Sequence, residues 1–534
     1  MTKFLKSTGV VLALVLATAC GGSGSTTSQV GNSTAPGTLA LDPPFRIASL
    51  DAATFEAELG ATATGAQLLQ LTGAPACGVD FYYVKFWTVG GADEATESSG
   101  ALMVPTGGTG CSGPRPILLY AHGTNTNQAL NIADITDPTN TEGALIAATF
   151  AAQGYIVVAP NYAGYDISTL GYHPFLNAAQ QSGEMINMLA AARAALPKTL
   201  TSASSDNGQL FVTGYSEGGH VAMATQRALQ AAGAPPTAAA PMSGPYALEA
   251  FGDAIFFGNV NLGSTVFGPL LTASYQHAYG NIYASPADVY SPTYATGIET
   301  LLPSTTPLAT LFSEGLLPQS AAFNSTTPIV TIPGQPALSA QLTAALAVPS
   351  DPANPLTPLF AAGFGSPYLI NNDYRVSYAL DAASNPDGAV PTPAAGAPLA
   401  AAAPTQALRL ALYTNDLRHG AWAPASPTLL CGGDQDPTVF FSVNTLTMAE
   451  FWSALPAGLV TVLDVNAAPS GPFAAIQTGF IGSQLQLLAF YQTAAGGGLS
   501  LAAAEQKLVL GYHTAVAPFC AVAARSFFSQ FAGG

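Results

Sequence analysis

The residue types and spacing with the clearest chemical meaning lie between Gln209 and His220, in the stretch QLFVTGYSEGGH. A β-rich apolar run (Leu210 to Thr213) meets Gly214, Tyr215, Ser216, Glu217 and Gly218, and an alanine-rich pattern with helical spacing begins at Val221. A serine hydroxyl is a weak nucleophile unless it is held clear of its strand, beside a general base and above backbone N–H donors. A strand, a sharp turn and a helix do this, and glycine at 214 and 218 removes side chains that would collide in so tight a turn. Five-residue patterns of this kind also arise by chance in a chain of 534 residues, and the strand and helix patterns on either side single this one out. Ser216 is the candidate nucleophile of an acyl transfer, strained but accessible. That chemistry also needs an imidazole to take the hydroxyl proton and a carboxylate to orient the imidazole. The chain offers six histidines and, just after the apolar run Pro427 to Cys431, the neighbouring carboxylates Asp434 and Asp436.

The elements that must position these groups follow from the hydrophobic patterning. Leu50 to Leu71 has helical spacing with Asp51 as its cap, and Gly73 to Pro75 ends it. VDFYYVKFWTV (Val79 to Val89) and TESSGALMV (Thr96 to Val104), separated by Gly90 to Asp93, predict a hairpin. PILLYA (Pro116 to Ala121) and YIVVA (Tyr155 to Ala159) lack polar alternation, as strands buried on both faces do. Helical patterns fall at Glu142 to Gln153, Asn177 to Leu196 and Val221 to Ala232, and a short strand ends at Met242. Strands alternating with helices predict a mainly parallel α/β sheet with Ser216 at a strand's carboxyl end. From Pro245 to Thr405 that rhythm stops, and the segment is rich in Pro, Phe, Tyr and Leu with one basic residue, Arg375, against nine acidic ones. Its length predicts an inserted cap over the site, with a separate small domain as the alternative. The rhythm returns with PTLLC, a helix at Val443 to Leu455 and the strand LVTVLDV (Leu459 to Val465). A helix at Phe473 to Ala494 and the motif LGYHTAVAPFC (Leu510 to Cys520) follow, with Gly511 and Tyr512 read as a loop before His513.

Only 8% of the residues are charged, 13 basic against 30 acidic, for a formal net charge of -17. Such a balance excludes nucleic acid and anionic membrane surfaces as electrostatic partners and favours neutral or apolar ones. An alanine-rich composition bias accounts for the low charge equally well. Lys3 and Lys6, an apolar run from Val10 to Leu16 and the ending ATAC predict an export signal over residues 1–19. The ending resembles the lipobox of bacterial lipoproteins, which implies a lipid-anchored Cys20 and an exported protein held at the cell envelope or secreted. Residues 20–49, rich in Gly, Ser, Thr and Pro up to Pro44, are expected to form a flexible tether. Cys77, Cys111, Cys431 and Cys520 then face an oxidising compartment, where three connectivities exist. Cys77 and Cys111 flank the open side of the hairpin, so their pairing would staple its ends.

Taken in order, YAHGT (Tyr120 to Thr124), GYSEGG, GGDQDPTV and GYH resemble the α/β-hydrolase superfamily. The long insertion and the early hairpin resemble the secretory lipase family and related bacterial lipoprotein esterases. That resemblance implies an α/β-hydrolase fold with its core at residues 50–244 and 406–534 and a cap at 245–405. It also implies the order Ser, acid, His, which selects His513 as base. The spacing Gly433, Asp436, Val439 resembles the GxxDxxV pattern that carries the acid, so Asp436 takes that role, with Asp434 and then Asp464 as alternatives. If the acid and base loops must meet, Cys431 and Cys520 beside them are natural disulfide partners. YAHGT resembles the HG motif that supplies one oxyanion N–H, from Thr124 or next Gly123, and the N–H of Glu217 supplies the other. His122 is then structural. Tyr162, in NYAGY, and Tyr215 are expected to line the substrate pocket, and a packed turn is the other reading of NYAGY. The segment from Asn466 to Lys507 is longer than such enzymes usually have before the base.

The function expected from these residues is a serine carboxylic ester hydrolase that acts on uncharged acyl or aromatic esters and needs no metal or organic cofactor; a lipase, a short-chain esterase and a polyester depolymerase all fit, with a small-molecule, lipid or polyester ester as substrate. Two other classes compete with it. A serine peptidase of the prolyl oligopeptidase type shares the nucleophile turn, but usually carries a large domain ahead of it. A non-catalytic binding lipoprotein would not need all the reactive residue types present here.

Overall fold

The computed structural model describes residues 33–108, 110–199, 204–387, 404–420, 422–493 and 498–532. Cys20, the expected export signal and the first part of the expected tether lie outside them. Nine strands form one sheet: β1 (Phe45–Leu50), β2 (Gly78–Val89), β3 (Ala95–Thr106), β4 (Gly113–Ala121), β5 (Ile156–Pro160), β6 (Ser204–Tyr215), β7 (Ala238–Met242), β10 (Thr428–Gly432) and β11 (Val460–Asp464). Two two-residue strands, β8 (Phe323–Asn324) and β9 (Phe364–Gly365), pair apart from it. The sheet order is β1-β2-β3-β5-β4-β6-β7-β10-β11. Pairing is antiparallel from β1 to β5 and parallel from β5 to β11. The order steps outward in both directions from β4, and that reversal opens a crevice at the carboxyl ends of β4 and β6.

Period-two alternation decides which helix covers which face. Phe81, Met103, Leu118, Val157 and Phe211 point to one side, where they pack with the helix Thr141–Thr149 and the carboxyl half of the helix Leu501–Ser529. Their neighbours Tyr82, Leu102, Leu119, Val158 and Val212 point to the other, against Met185, Met188 and Leu189 of the helix Ala178–Ala195 and Val221 of the helix Glu217–Ala231. The central strands are apolar on both faces because both faces are covered.

Several expectations are corrected. The expected tether does not extend to residue 49. Gly37 and Ala40 donate to the carbonyls of Trp87 and Lys85, and Phe45–Leu50 is β1, paired antiparallel to β2. Backbone groups on the free edge of β2 capture this segment, which needs no apolar period to be held. The helix expected over Leu50 to Leu71 is two, Ala52–Gly60 and Ala63–Thr72, capped by Asp51 and Thr62. The insertion after β7 has its own apolar core, and the helix Ala407–Asn415 contributes Leu408, Ala411 and Leu412 to it, so the inserted unit runs past residue 405. The insertion is not a separate domain: residues 34–534 cluster as one compact unit. At its base Arg409, fully buried, meets Glu249, Asp253 and Asp381 at 2.8 to 3.3 Å.

The carboxyl-terminal region departs most from the expected form. His513 lies in no loop but within the 29-residue helix Leu501–Ser529, which pairs with the helix Ala474–Thr493. Gly511 is tolerated there at a cost of about 1 kcal/mol relative to alanine. Burial of Tyr512, Val516, Phe519 and Cys520 on the following turns outweighs that cost.

Candidate active site

The ends of β4, β6 and β7 and two helices, Glu217–Ala231 and Leu501–Ser529, meet at Ser216. It follows β6 directly and has φ 60° and ψ -123°, a conformation that costs a non-glycine residue about 1–3 kcal/mol. The surrounding backbone leaves no alternative. A Cβ at Gly214 would sit 2.3 Å from the Gly218 carbonyl oxygen, and one at Gly218 would sit 2.0 Å from that of Ala121. The Ser216 N–H donates to the Met242 carbonyl at the end of β7 (3.0 Å), tying the turn to the neighbouring strand.

His513 Nε2 lies 2.8 Å from Ser216 Oγ, and its Nδ1 lies 2.6 Å from Asp436 Oδ2. The other Asp436 oxygen accepts the N–H groups of Thr438 (2.8 Å) and Val439 (3.1 Å), which fixes the carboxylate in the loop after β10. The side chain of Asp436 is 1% exposed and that of His513 14%. Asp434 is exposed and bonds Asn466 instead, and Asp464 accepts N–H groups of Asp434 and Asn466. Of the three carboxylates weighed from sequence, only Asp436 reaches His513.

Two tethers hold the helix that carries His513. Cys520, two turns further on, is bonded to Cys431 at the end of β10, and the second disulfide joins Cys77 to Cys111. Tyr215, the residue before Ser216, donates its hydroxyl to the His513 carbonyl. Burial, with the Asp436 charge adding to it, pushes the Tyr215 phenol well up, so it stays a neutral donor. Tyr215 therefore braces His513 from behind and does not line the pocket. Tyr162 does not line it either. Its ring is fully buried against His122 (4.1 Å between centroids) and its hydroxyl donates to the His122 carbonyl. Sequence patterns place both tyrosines near the site but carry no information on which way the rings turn.

The candidate oxyanion donors separate clearly. The Gly123 N–H is taken by the buried carboxylate of Glu142, at 3.0 and 3.2 Å, so it is not free for an oxyanion. Glu142 also accepts the Tyr120 hydroxyl (2.6 Å), and burial holds its carboxyl above the ordinary carboxylate range. Among the described residues, the N–H groups of Thr124 and Glu217 meet no acceptor, and both residues line the cavity that contains Ser216. His122 is buried with its ring nitrogens 2.7 and 3.0 Å from the carbonyls of Gly123 and Asn161.

One pair was not legible in the sequence. The Glu217 carboxylate turns away from the cavity, into the core, where His173 Nε2 lies 2.6 Å away and Gln181 donates from 2.7 Å. Both partners are wholly buried. Burial opposes both charges, yet each partner stabilises the other, so the Glu217 carboxyl is held low and the His173 imidazole high. The residues are 44 positions apart, and no local motif links them.

The cavity above Ser216 encloses about 980 Å³ including its open mouth. Its walls come from the loop after β5 (Phe175, Leu176) and from the insertion (Leu248, Phe267, Phe323, Leu412). Among the described residues that line it, Glu217 is the sole one with a side chain charged at neutral pH, and its carboxylate is occupied elsewhere.

No protein-family model matches the chain, and no curated protein matches it. Among solved structures, it is similar to a ligand-bound form of the rice cell wall degrading esterase LipA from Xanthomonas oryzae. The identity is 24%, the match covers 93% of this chain and 100% of that chain, and the TM-score is 0.63. A Legionella pneumophila protein described as a hydrolase is also similar, at 17% identity over 91% of this chain and 97% of that chain, with a TM-score of 0.58. At these identities the likeness is one of architecture, and with the strand order above it establishes that the chain has the α/β-hydrolase fold.

Proposed function

We propose that the protein is a serine carboxylic ester hydrolase acting on uncharged esters. The observation that carries this reading is the unbroken hydrogen-bonded line from Ser216 Oγ through the imidazole of His513 to Asp436, set below an apolar cavity. Ser216 attacks the ester carbonyl while His513 takes its proton, and Asp436 stabilises the resulting imidazolium. The N–H groups of Thr124 and Glu217 receive the oxyanion. His513 returns the proton to the departing alcohol, and water, activated by the same imidazole, releases the acid from the acyl-enzyme. The insertion acts as a cap whose apolar wall selects neutral acyl or aromatic groups, since an anionic substrate would find no cation lining the cavity. The fold shared with the Xanthomonas esterase is in keeping with this chemistry. Two disulfides support export to an oxidising compartment, where Cys20 would carry the lipid anchor.

The test is hydrolysis of p-nitrophenyl esters of graded acyl length by the wild-type protein and by Ser216→Ala. Activity and fluorophosphonate labelling that both vanish in the variant support the reading, and the length optimum reports how much of the cavity the acyl chain fills. A folded wild-type protein that hydrolyses none of the esters and takes no label overturns it.

A further inference from the structure

A carboxylate directly after the nucleophile is a costly choice. The oxyanion forms beside the Glu217 N–H, and a negative side chain on the same residue would oppose it unless its charge were cancelled. His173 provides that cancellation. Its Nδ1 faces the Ala163 carbonyl at 2.9 Å and its Nε2 faces the Glu217 carboxylate at 2.6 Å, so both nitrogens meet acceptors and the ring suits the doubly protonated form. The second Glu217 oxygen, Oε2, is buried with no hydrogen-bond partner. An ion pair this deeply buried and incompletely satisfied is weak as a stabilising device, because desolvation offsets much of the attraction. What it does well is fix direction: a short charge-assisted bond admits little rotation of the residue that makes it.

His173 is itself fixed. At Gly164, with φ 95°, the loop after β5 folds back so closely that a Cβ would lie 2.3 Å from the Tyr172 carbonyl oxygen and 2.7 Å from His173 Cα. The imidazole then packs beside the rings of Tyr162 and Tyr165, 5.6 and 4.8 Å away between centroids. Two and three residues further on, Phe175 and Leu176 form part of the cavity wall. One loop thus holds both the pocket and the partner of Glu217.

We propose that His173 is a positioning residue for the oxyanion site: through its ion pair with Glu217 it sets the first peptide of the helix Glu217–Ala231, so that the Glu217 N–H points at the developing oxyanion. The inference rests on the esterase reading above. It assigns to the pair a role in the transition state and none in binding the ester.

Glu217→Gln keeps the N–H and the side-chain shape but removes the charge. It is expected to lower kcat about 10- to 100-fold, less than the loss of a whole oxyanion donor, with KM changed less than about twofold. Affinity for an alkyl boronic acid, which mimics the tetrahedral state, should fall by the same factor as kcat/KM. His173→Gln leaves the carboxylate buried without a countercharge and should lose more. The double variant His173→Gln/Glu217→Gln, with neither charge left alone, should recover part of that loss. Should Glu217→Gln fail to fold, the double variant carries the test. A pair that is only structural would lower the melting temperature and leave kcat and boronate affinity of the folded protein at wild-type values, and that result overturns the proposal. Its failure is distinct from failure of the esterase reading, in which the wild-type protein itself hydrolyses no ester and takes no fluorophosphonate label.

Discussion

The two sides of the site are held by different means. Ser216 and Asp436 sit where parallel strands end, each in a turn whose backbone bonds leave no room for another geometry. His513 sits on a helix that enters from outside the sheet, and its position depends on contacts remote in sequence: the disulfide to β10, the Tyr215 hydroxyl and the packing of Tyr512. The sheet side is therefore built in by local structure, whereas the helix side must be tied on. A catalytic imidazole needs placing to within a fraction of an ångström, so the tied side is where modest changes should cost most in rate and least in fold.

The comparison is first broken by removing the groups proposed to react. Ser216→Ala and His513→Ala should each reduce kcat by about 10⁶-fold, and the double variant should be no worse than either, because the groups act as a unit. A double variant much slower than both singles would mean that sheet and helix contribute separately. The choice of acid gives the next effect in size. Asp436→Asn should lose about 10⁴-fold in kcat, as loss of the orienting carboxylate does in a serine triad. Asp434→Asn, two residues away but bonded to Asn466, should stay within about twofold. Equal losses in the two would sink the assignment.

Much of the sheet side is legible in the sequence, and little of the helix side is. Runs of buried strand residues, the glycines at 214 and 218, and the spacing of Gly433, Asp436 and Val439 are local patterns with local causes. His513 is the histidine that chain order selects, and it does face Ser216, but its element is not the expected loop. Gly511 signals a break only when nothing else holds the helix, and here the packing of its later turns does. The same limit applies to β1, captured by an edge, and to Gly123, whose N–H is taken by a glutamate 19 residues away. It applies also to Tyr162 and Tyr215, whose ring directions depend on neighbours distant in sequence. Side-chain direction and long-range pairing are set by the assembled fold, which no window of sequence contains.

The two disulfides sharpen the contrast. Cys77–Cys111 closes a separation of 34 residues and Cys431–Cys520 one of 89. In the chain-entropy view the longer loop adds less than about 1 kcal/mol, so removing either bond should cost about 2–5 kcal/mol and stability alone will scarcely tell them apart. Activity should. Cys77→Ser/Cys111→Ser is expected to keep the kcat of the folded protein, while Cys431→Ser/Cys520→Ser loosens the helix and lowers kcat by about tenfold well below its melting temperature. Matching kcat values in the two pairs would show that the helix needs no covalent tie.

The smallest effect isolates the remaining tether. Tyr215→Phe removes one hydroxyl, and with it the bond to the His513 carbonyl, while keeping the ring that packs 4.9 Å from the imidazole. A single neutral hydrogen bond is worth about 0.5–1.5 kcal/mol, which corresponds to about a two- to tenfold fall in kcat if all of it serves to place the base. KM should not change, because the tyrosine lies behind His513 and does not line the cavity. Made in the Cys431→Ser/Cys520→Ser background, the same substitution should cost more than it does alone, since each tether limits the slack left by the other. Strict additivity would mean that the hydroxyl and the disulfide restrain different motions, and that the helix side of the site is less dependent on its ties than its geometry implies.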